Sequence, residues 1–106
     1  MTMFVATNRL FVPQDQAEEF ERHFVGTMRT FLPGVPGLRR STLLRPTEPG
    51  QPYVSVNEFE SEADFLAWMS SASFRQAHAH NPGLAKHVTS NAVETFQPTE
   101  DLVLAP

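Results

Sequence analysis

The middle of the chain reads LRRSTLLR (38–45), PTEPGQP (46–52) and YVSVNEFE (53–60). Two strand-like runs flank a Pro/Gly-rich connection that turns easily and extends poorly, so the stretch predicts an antiparallel hairpin. What lies on either side of it decides the topology. Upstream, PGVPG (33–37) makes helix continuation expensive and turning cheap. Before it, Phe20, Phe24, Met28, Phe31 and Leu32 recur at helical spacing, which predicts an amphipathic helix over 15–32 with Asp15 as its cap and Glu18 three residues on. Pro13 separates that helix from MFVATNRLFV (3–12), a run of β-forming residues. Its alternation sets Met3, Val5 and Phe11 on one face and Phe4, Ala6, Leu10 and Val12 on the other, so both faces are expected to be covered.

Downstream of the hairpin, Ser61 and Asp64 of SEAD have capping-box spacing and open a second helix carrying Phe65, Leu66, Trp68 and Met69. Serine prefers caps to helix interiors, so SSAS (70–73) predicts a kink or re-start near Ser71 before FRQAHAH (74–80). NPG (81–83) leads into a loop, SNAVETFQ (90–97) reads as a last strand, and a short tail runs from Pro98. The order strand, helix, strand, strand, helix, strand is the ferredoxin-like βαββαβ arrangement. It is an α+β fold with a four-stranded antiparallel sheet and both helices on one face, here taken as a single domain over 1–106. One sheet face is then bare, and an apolar first strand predicts that a second copy covers it in a homodimer with a barrel-like core.

Composition narrows the chemistry. With 41% hydrophobic and 10% aromatic residues the chain belongs with folded globular proteins. It has no cysteine, which removes disulfides, thiolate metal sites and thiol catalysis and points most simply to the cytoplasm. A net charge of -4 argues against a nucleic-acid footprint, and no apolar run approaches a membrane span. The modestly apolar N-terminus lacks a basic leader region or cleavage site. There is no Gly-rich phosphate loop ahead of a helix, no nucleophile elbow and no paired carboxylates on an apolar face.

Three residues stand out. Asn8 shares its strand face with Phe4, Ala6, Leu10 and Val12, where an unpartnered carboxamide costs about 1–3 kcal/mol; it bonds either to backbone near the strand end or to a ligand held between sheet and helices. Trp68 is either a core residue or, beside the helix interruption, one wall of a flat apolar cleft. His78 follows Phe74 by four residues and should face inward with it, whereas His80 lies about 200° around and points elsewhere. The two histidines cannot chelate one metal from a regular helix. A single inward imidazole suffices for an iron porphyrin, whose macrocycle supplies the other four ligands. Arg22, His23 and Arg29 read as the polar side of the first helix, with contact to ligand carboxylates as the alternative.

Together, TNRL on the first strand, FLAW after an acid-capped helix start and SFRQAHAH resemble the IsdG-type haem-degrading monooxygenases, within the antibiotic-biosynthesis-monooxygenase superfamily of dimeric α+β barrels. The resemblance spans the chain and rests on Asn8, Trp68 and His78 at matched spacing. It implies one haem per subunit in the cleft between sheet and helices of a homodimer. His78 would be the axial iron ligand, Asn8 a distal hydrogen-bond donor, and Trp68 a side chain pressing on the macrocycle. Phe74, Arg22 and His23 would be further haem contacts. It further implies ring opening with dioxygen and an external electron donor, supplied by a reductase, with release of iron. Two alternatives stay open: a cofactor-independent monooxygenase of a polycyclic phenol or quinone, and a haem-binding dimer without turnover.

Overall fold

The computed structural model describes residues 3–79 and 87–105, with elements β1 (Phe4–Phe11), a 3-10 turn (Gln14–Gln16), α1 (Ala17–Phe31), β2 (Leu38–Leu44), β3 (Tyr53–Phe59), α2 (Glu62–Met69), α3 (Ala72–Ala79) and β4 (Ser90–Phe96). The strands form one antiparallel sheet in the order β2-β3-β1-β4, the predicted ferredoxin-like topology. The hairpin pairs Leu38 with Phe59 at one end and Leu44 with Val54 at the other, with an irregularity between Leu38 and Arg40. His80 and the NPG segment at 81–83 lie outside the described residues. No helix among the described residues is long and apolar enough to cross a membrane.

Period-two alternation decides which side of the sheet is core. Phe4, Ala6 and Leu10 of β1 and Tyr53, Ser55 and Phe59 of β3 are buried toward the helices. They pack in two clusters: Phe4, Ala6 and Phe59 meet Phe65 of α2, while Leu10 and Tyr53 meet Phe20 of α1. Phe20, Phe59 and Leu10 are essentially inaccessible to solvent, and each contributes about 1.5–3 kcal/mol through burial. On the opposite face, Val5 and Thr7 are half-buried and Arg9 and Phe11 exposed, so within one chain only one side of β1 is covered.

The helix ends explain how the cleft walls are set. Asp15 does not cap α1: it sits inside the 3-10 turn that follows Pro13, and neither that turn nor α1 has a side-chain cap bond. Pro13 lacks an N–H and has an extended backbone, so the chain enters the helix through a tight turn before the capping geometry can form. Ser61 does cap α2, its Oγ accepting from Asp64 N at 3.2 Å. Gly37 has φ of +77°, and a Cβ there would strike the Asp64 side chain, so the turn into β2 and the start of α2 require glycine together. Ser71 re-starts the helix as predicted: its Oγ accepts from Phe74 N at 3.1 Å and donates to Trp68 O at 2.6 Å. Ser73 Oγ donates to Phe31 O at 2.7 Å, tying α3 to the end of α1.

A polar clamp fixes α1 over the hairpin. Glu21 accepts from both nitrogens of the Arg45 fork at 2.7 Å and from the hydroxyl of buried Tyr53. The Arg45 and Tyr53 donors pull the Glu21 carboxyl down to about 2, while burial and the neighbouring Glu21 carboxylate push the Tyr53 phenol up to about 12.

Candidate ligand cleft

Between the sheet and the helices lies a cleft whose floor is Ala6 and Asn8 of β1, Ser55 and Asn57 of β3, Ser41 of β2 and Val93 of β4. Phe24, Thr27 and Met28 of α1 roof it, with Leu32 beyond the helix end. Phe65, Trp68 and Met69 of α2 and Phe74, Ala77 and His78 of α3 complete it. It encloses about 190 Å³, less than the roughly 300–1,000 Å³ typical of closed ligand sites, because its mouth is open. A large planar ligand would enter by one edge and leave its other edge in solvent.

The sequence-derived trio of Asn8, Trp68 and His78 comes together here, from strand, second helix and third helix. Aromatic packing orders one wall: the Trp68 ring lies 5.6 Å from Phe59 and meets Phe74 edge-on at 4.9 Å, and Phe74 is 4.1 Å from the His78 ring. The helix break at Ser71 makes this possible, because α3 can turn its Phe74 and His78 face back onto the Trp68 end of α2.

His78 is exposed at the mouth rather than enclosed, yet its ring is held on two sides. Besides the Phe74 ring, its Nδ1 meets the Phe74 carbonyl at 2.9 Å. A carbonyl only accepts, so Nδ1 must carry the proton, and in the neutral imidazole the lone pair then resides on Nε2. That tautomer is the one a metal ligand needs. No group of three or more His, Asp or Glu side chains that could hold a metal ion occurs among the described residues, so a bare ion finds no protein cage. A porphyrin iron needs one imidazole from the protein, and Nε2 of His78 fits that demand.

Trp68 adds a second signal. Its Nε1 is buried without a hydrogen-bond partner among the described residues, a cost that an acceptor on a ligand or water would relieve. Asn8 is held at its rim by Asn91, whose Nδ2 donates to Asn8 Oδ1 at 3.3 Å. In this arrangement the amide nitrogen of Asn8 is available to a ligand in the cleft.

Arg22 and His23 are not among the cleft's lining residues. Arg22 donates to Glu19 at 2.7 Å, and His23 stacks on buried His87 at 6.1 Å. Helical rotation accounts for this, since Phe24, Thr27 and Met28 take the inward positions of α1. Conversely, the sequence reading passed over Ser41, Ser55 and Asn57. Tyr53, Ser55, Asn57 and Phe59 alternate in YVSVNEF, so a shared inner face was available as a signal.

Comparison with known proteins follows the same lines. Residues 3–80 match the sequence profile of the antibiotic biosynthesis monooxygenase family. A Bacillus cereus protein named "Heme-degrading monooxygenase" is 27% identical over 97 residues, covering 89% of this chain and 88% of its own. The heme-degrader MhuD from Mycobacterium tuberculosis, solved with two hemes bound in its active site, superposes with a TM-score of 0.78 at 25% identity over 94% of this chain and 99% of its own. SnoaB from Streptomyces nogalater, a cofactor-independent oxygenase, shares the fold with a TM-score of 0.75 at 24% identity, covering 94% of this chain and 96% of its own.

Proposed function

The chain belongs to the antibiotic biosynthesis monooxygenase family, and from that premise we propose that it is a haem-degrading monooxygenase. Haem is the substrate, opened oxidatively with dioxygen and electrons from an external reductase, with release of iron; the working unit is a homodimer. The observation that supports the reading is the Nδ1 bond of His78 to the Phe74 carbonyl, which leaves Nε2 free to ligate beside an aromatic wall. The similarity to proteins named for haem degradation supports the same substrate.

Haem supplies the iron that activates dioxygen and the carbon skeleton that is oxidised. The chain's own contribution is positional. His78, on the α3 wall of the cleft, would hold the iron through Nε2. Asn8, on the facing sheet, would donate its amide N–H to an oxygen of the bound ligand. Trp68 and Phe74 would pack on the ring and exclude water, while the open mouth leaves room for a charged edge in solvent.

A haemin titration tests the reading. We expect a red-shifted Soret band saturating near one haem per chain, followed in air with reductant by its loss, a bilin-like absorbance and chelatable iron. A protein that bound haemin but kept its Soret band under reductant would be a binding module. One that left the haemin spectrum unchanged would favour a cofactor-independent oxygenase, whose phenolic or quinone substrate the polar floor of Asn8, Ser55, Asn57 and Ser41 also suits.

A further inference from the structure

The floor of the cleft carries a second carboxamide besides Asn8. Asn57 of β3 pairs with Ser41 of β2 on one side and Ala6 of β1 on the other. Ser41 Oγ and Asn57 Oδ1 are 2.6 Å apart, within the range of O–H···O bonds and too short for N–H···O. The Ser41 hydroxyl donates to the Asn57 amide oxygen, and in this arrangement the NH2 is turned away from β2. On the β1 side stands Ala6, whose methyl offers no acceptor and whose small size keeps the floor open at that point. Both Asn57 and Ser41 line the cleft. Asn8 faces Ser55 across the β1–β3 ladder, so Asn57 is its diagonal neighbour, about 7–8 Å away between Cα atoms. Two carboxamides reaching from those positions can converge on one ligand atom or on adjacent ones.

We propose that Asn57, oriented by Ser41, is a second hydrogen-bond donor of the cleft, directed at an electron-rich oxygen or anion of the bound ligand on its sheet-facing side. The inference rests on the proposed haem reading for its ligand, while the donor's orientation stands on the Ser41 geometry alone. Asn57 accepts from Ser41 of the neighbouring strand, as Asn8 accepts from Asn91, and the NH2 group of Asn57 is left toward the cleft. Two amide donors side by side on the floor favour ligands that carry an electron-rich oxygen or negative charge there.

The test uses the ferric haem complex of the full chain and two small iron ligands. Fluoride accepts hydrogen bonds when bound, and imidazole bound through its nitrogen does not. Asn57→Leu keeps the side chain's shape and removes its donors, so the ratio of fluoride to imidazole affinity should fall about tenfold. Ser41→Ala frees the amide to rotate and should lower the same ratio by a smaller factor, about threefold. Unchanged ratios in both variants would overturn the proposal while leaving the haem reading intact. If wild-type protein takes up no haemin, the haem reading fails by itself, and Asn57 is then judged by 5-hydroxy-1,4-naphthoquinone, followed through Trp68 fluorescence. Binding weakened about tenfold by Asn57→Leu would sustain the donor role. Unaltered binding, or none by the wild type, would overturn it.

Discussion

At the scale of single residues, the cleft separates two tasks that are easily conflated. Under the proposed function, His78 would bind the iron and Asn8 would tune what is bound. Replacing His78 by Ala removes the only cleft-lining imidazole among the described residues, so haemin affinity should fall about 100-fold and the Soret maximum return toward that of free haemin. Circular dichroism should be unchanged, because an exposed side chain at the end of α3 contributes little to the core. Asn8→Ala should instead retain the axial ligand and its spectrum while slowing single-turnover degradation about 10–100-fold, the cost of one hydrogen bond to a charge-bearing atom. If both variants lost haemin equally, the division of labour between helix and sheet would be wrong. Strand alternation and helical spacing, both local rules, set the faces of these two residues and Trp68, but taken singly each reads more simply as structural, and it is the resemblance that groups them as a site. Asn57 was not singled out, because its partner Ser41 lies sixteen residues away across a hairpin. Only the pairing register shows that the two meet.

At the scale of elements, the wall of the cleft is held by polar clamps at helix ends rather than by intrinsic helix strength. Ser71 starts α3 where α2 stops, Ser73 ties α3 to α1, and Glu21 anchors α1 to the hairpin through Arg45 and Tyr53. The SSAS interruption was readable as a re-start because serine's preference for caps is a property of the residue. The Asp15 cap was misread because Pro13 changed the path of the chain two residues earlier. The Glu21 clamp makes a pH-dependent prediction. Its carboxyl is held at about 2 against an ordinary value of 4.5, so folding binds fewer protons there than unfolding does. The clamp therefore stabilises fully above about pH 4.5, and that contribution is lost as pH falls toward 2. Glu21→Gln should cost about 1 kcal/mol at neutral pH, chiefly through the bond from buried Tyr53, with screening by solvent limiting the ion pair. Urea melts of both proteins should show that difference shrinking between pH 4.5 and pH 2. A gap that stayed constant across the range would mean that the carboxylate charge plays no part.

At the scale of the whole molecule, the sheet has a covered side and an open one. On the open side, β1 presents Val5, Thr7, Arg9 and Phe11, and the ladder sets Val54 and Val56 of β3, Leu44 of β2 and Phe96 of β4 beside them. Phe11, Leu44 and Phe96 are 37%, 49% and 49% exposed, large apolar groups on a face that also carries Glu58 opposite Val5, Arg40 opposite Glu58, and the Arg9–Glu94 pair at 3.0 Å. A monomer that kept this face in water would leave several large apolar side chains exposed, of the kind that marks association sites. An isologous pairing, open face to open face, covers it with the same residues from a second copy. We therefore expect light scattering to return about twice the 11.9 kDa chain mass at micromolar concentration. Val56→Asp places a charge at the middle of the open face without touching the cleft or the core clusters. Burying that unpaired carboxylate in the pairing should weaken self-association at least about 100-fold and give the monomer mass at the same concentration. Because the cleft opens on the other side of the sheet, the variant should still show a Soret shift with haemin. A monomer that bound haemin normally would assign the two faces to separate tasks, assembly and ligand binding, whereas wild-type protein running as a monomer would require another cover for Phe11 and Phe96.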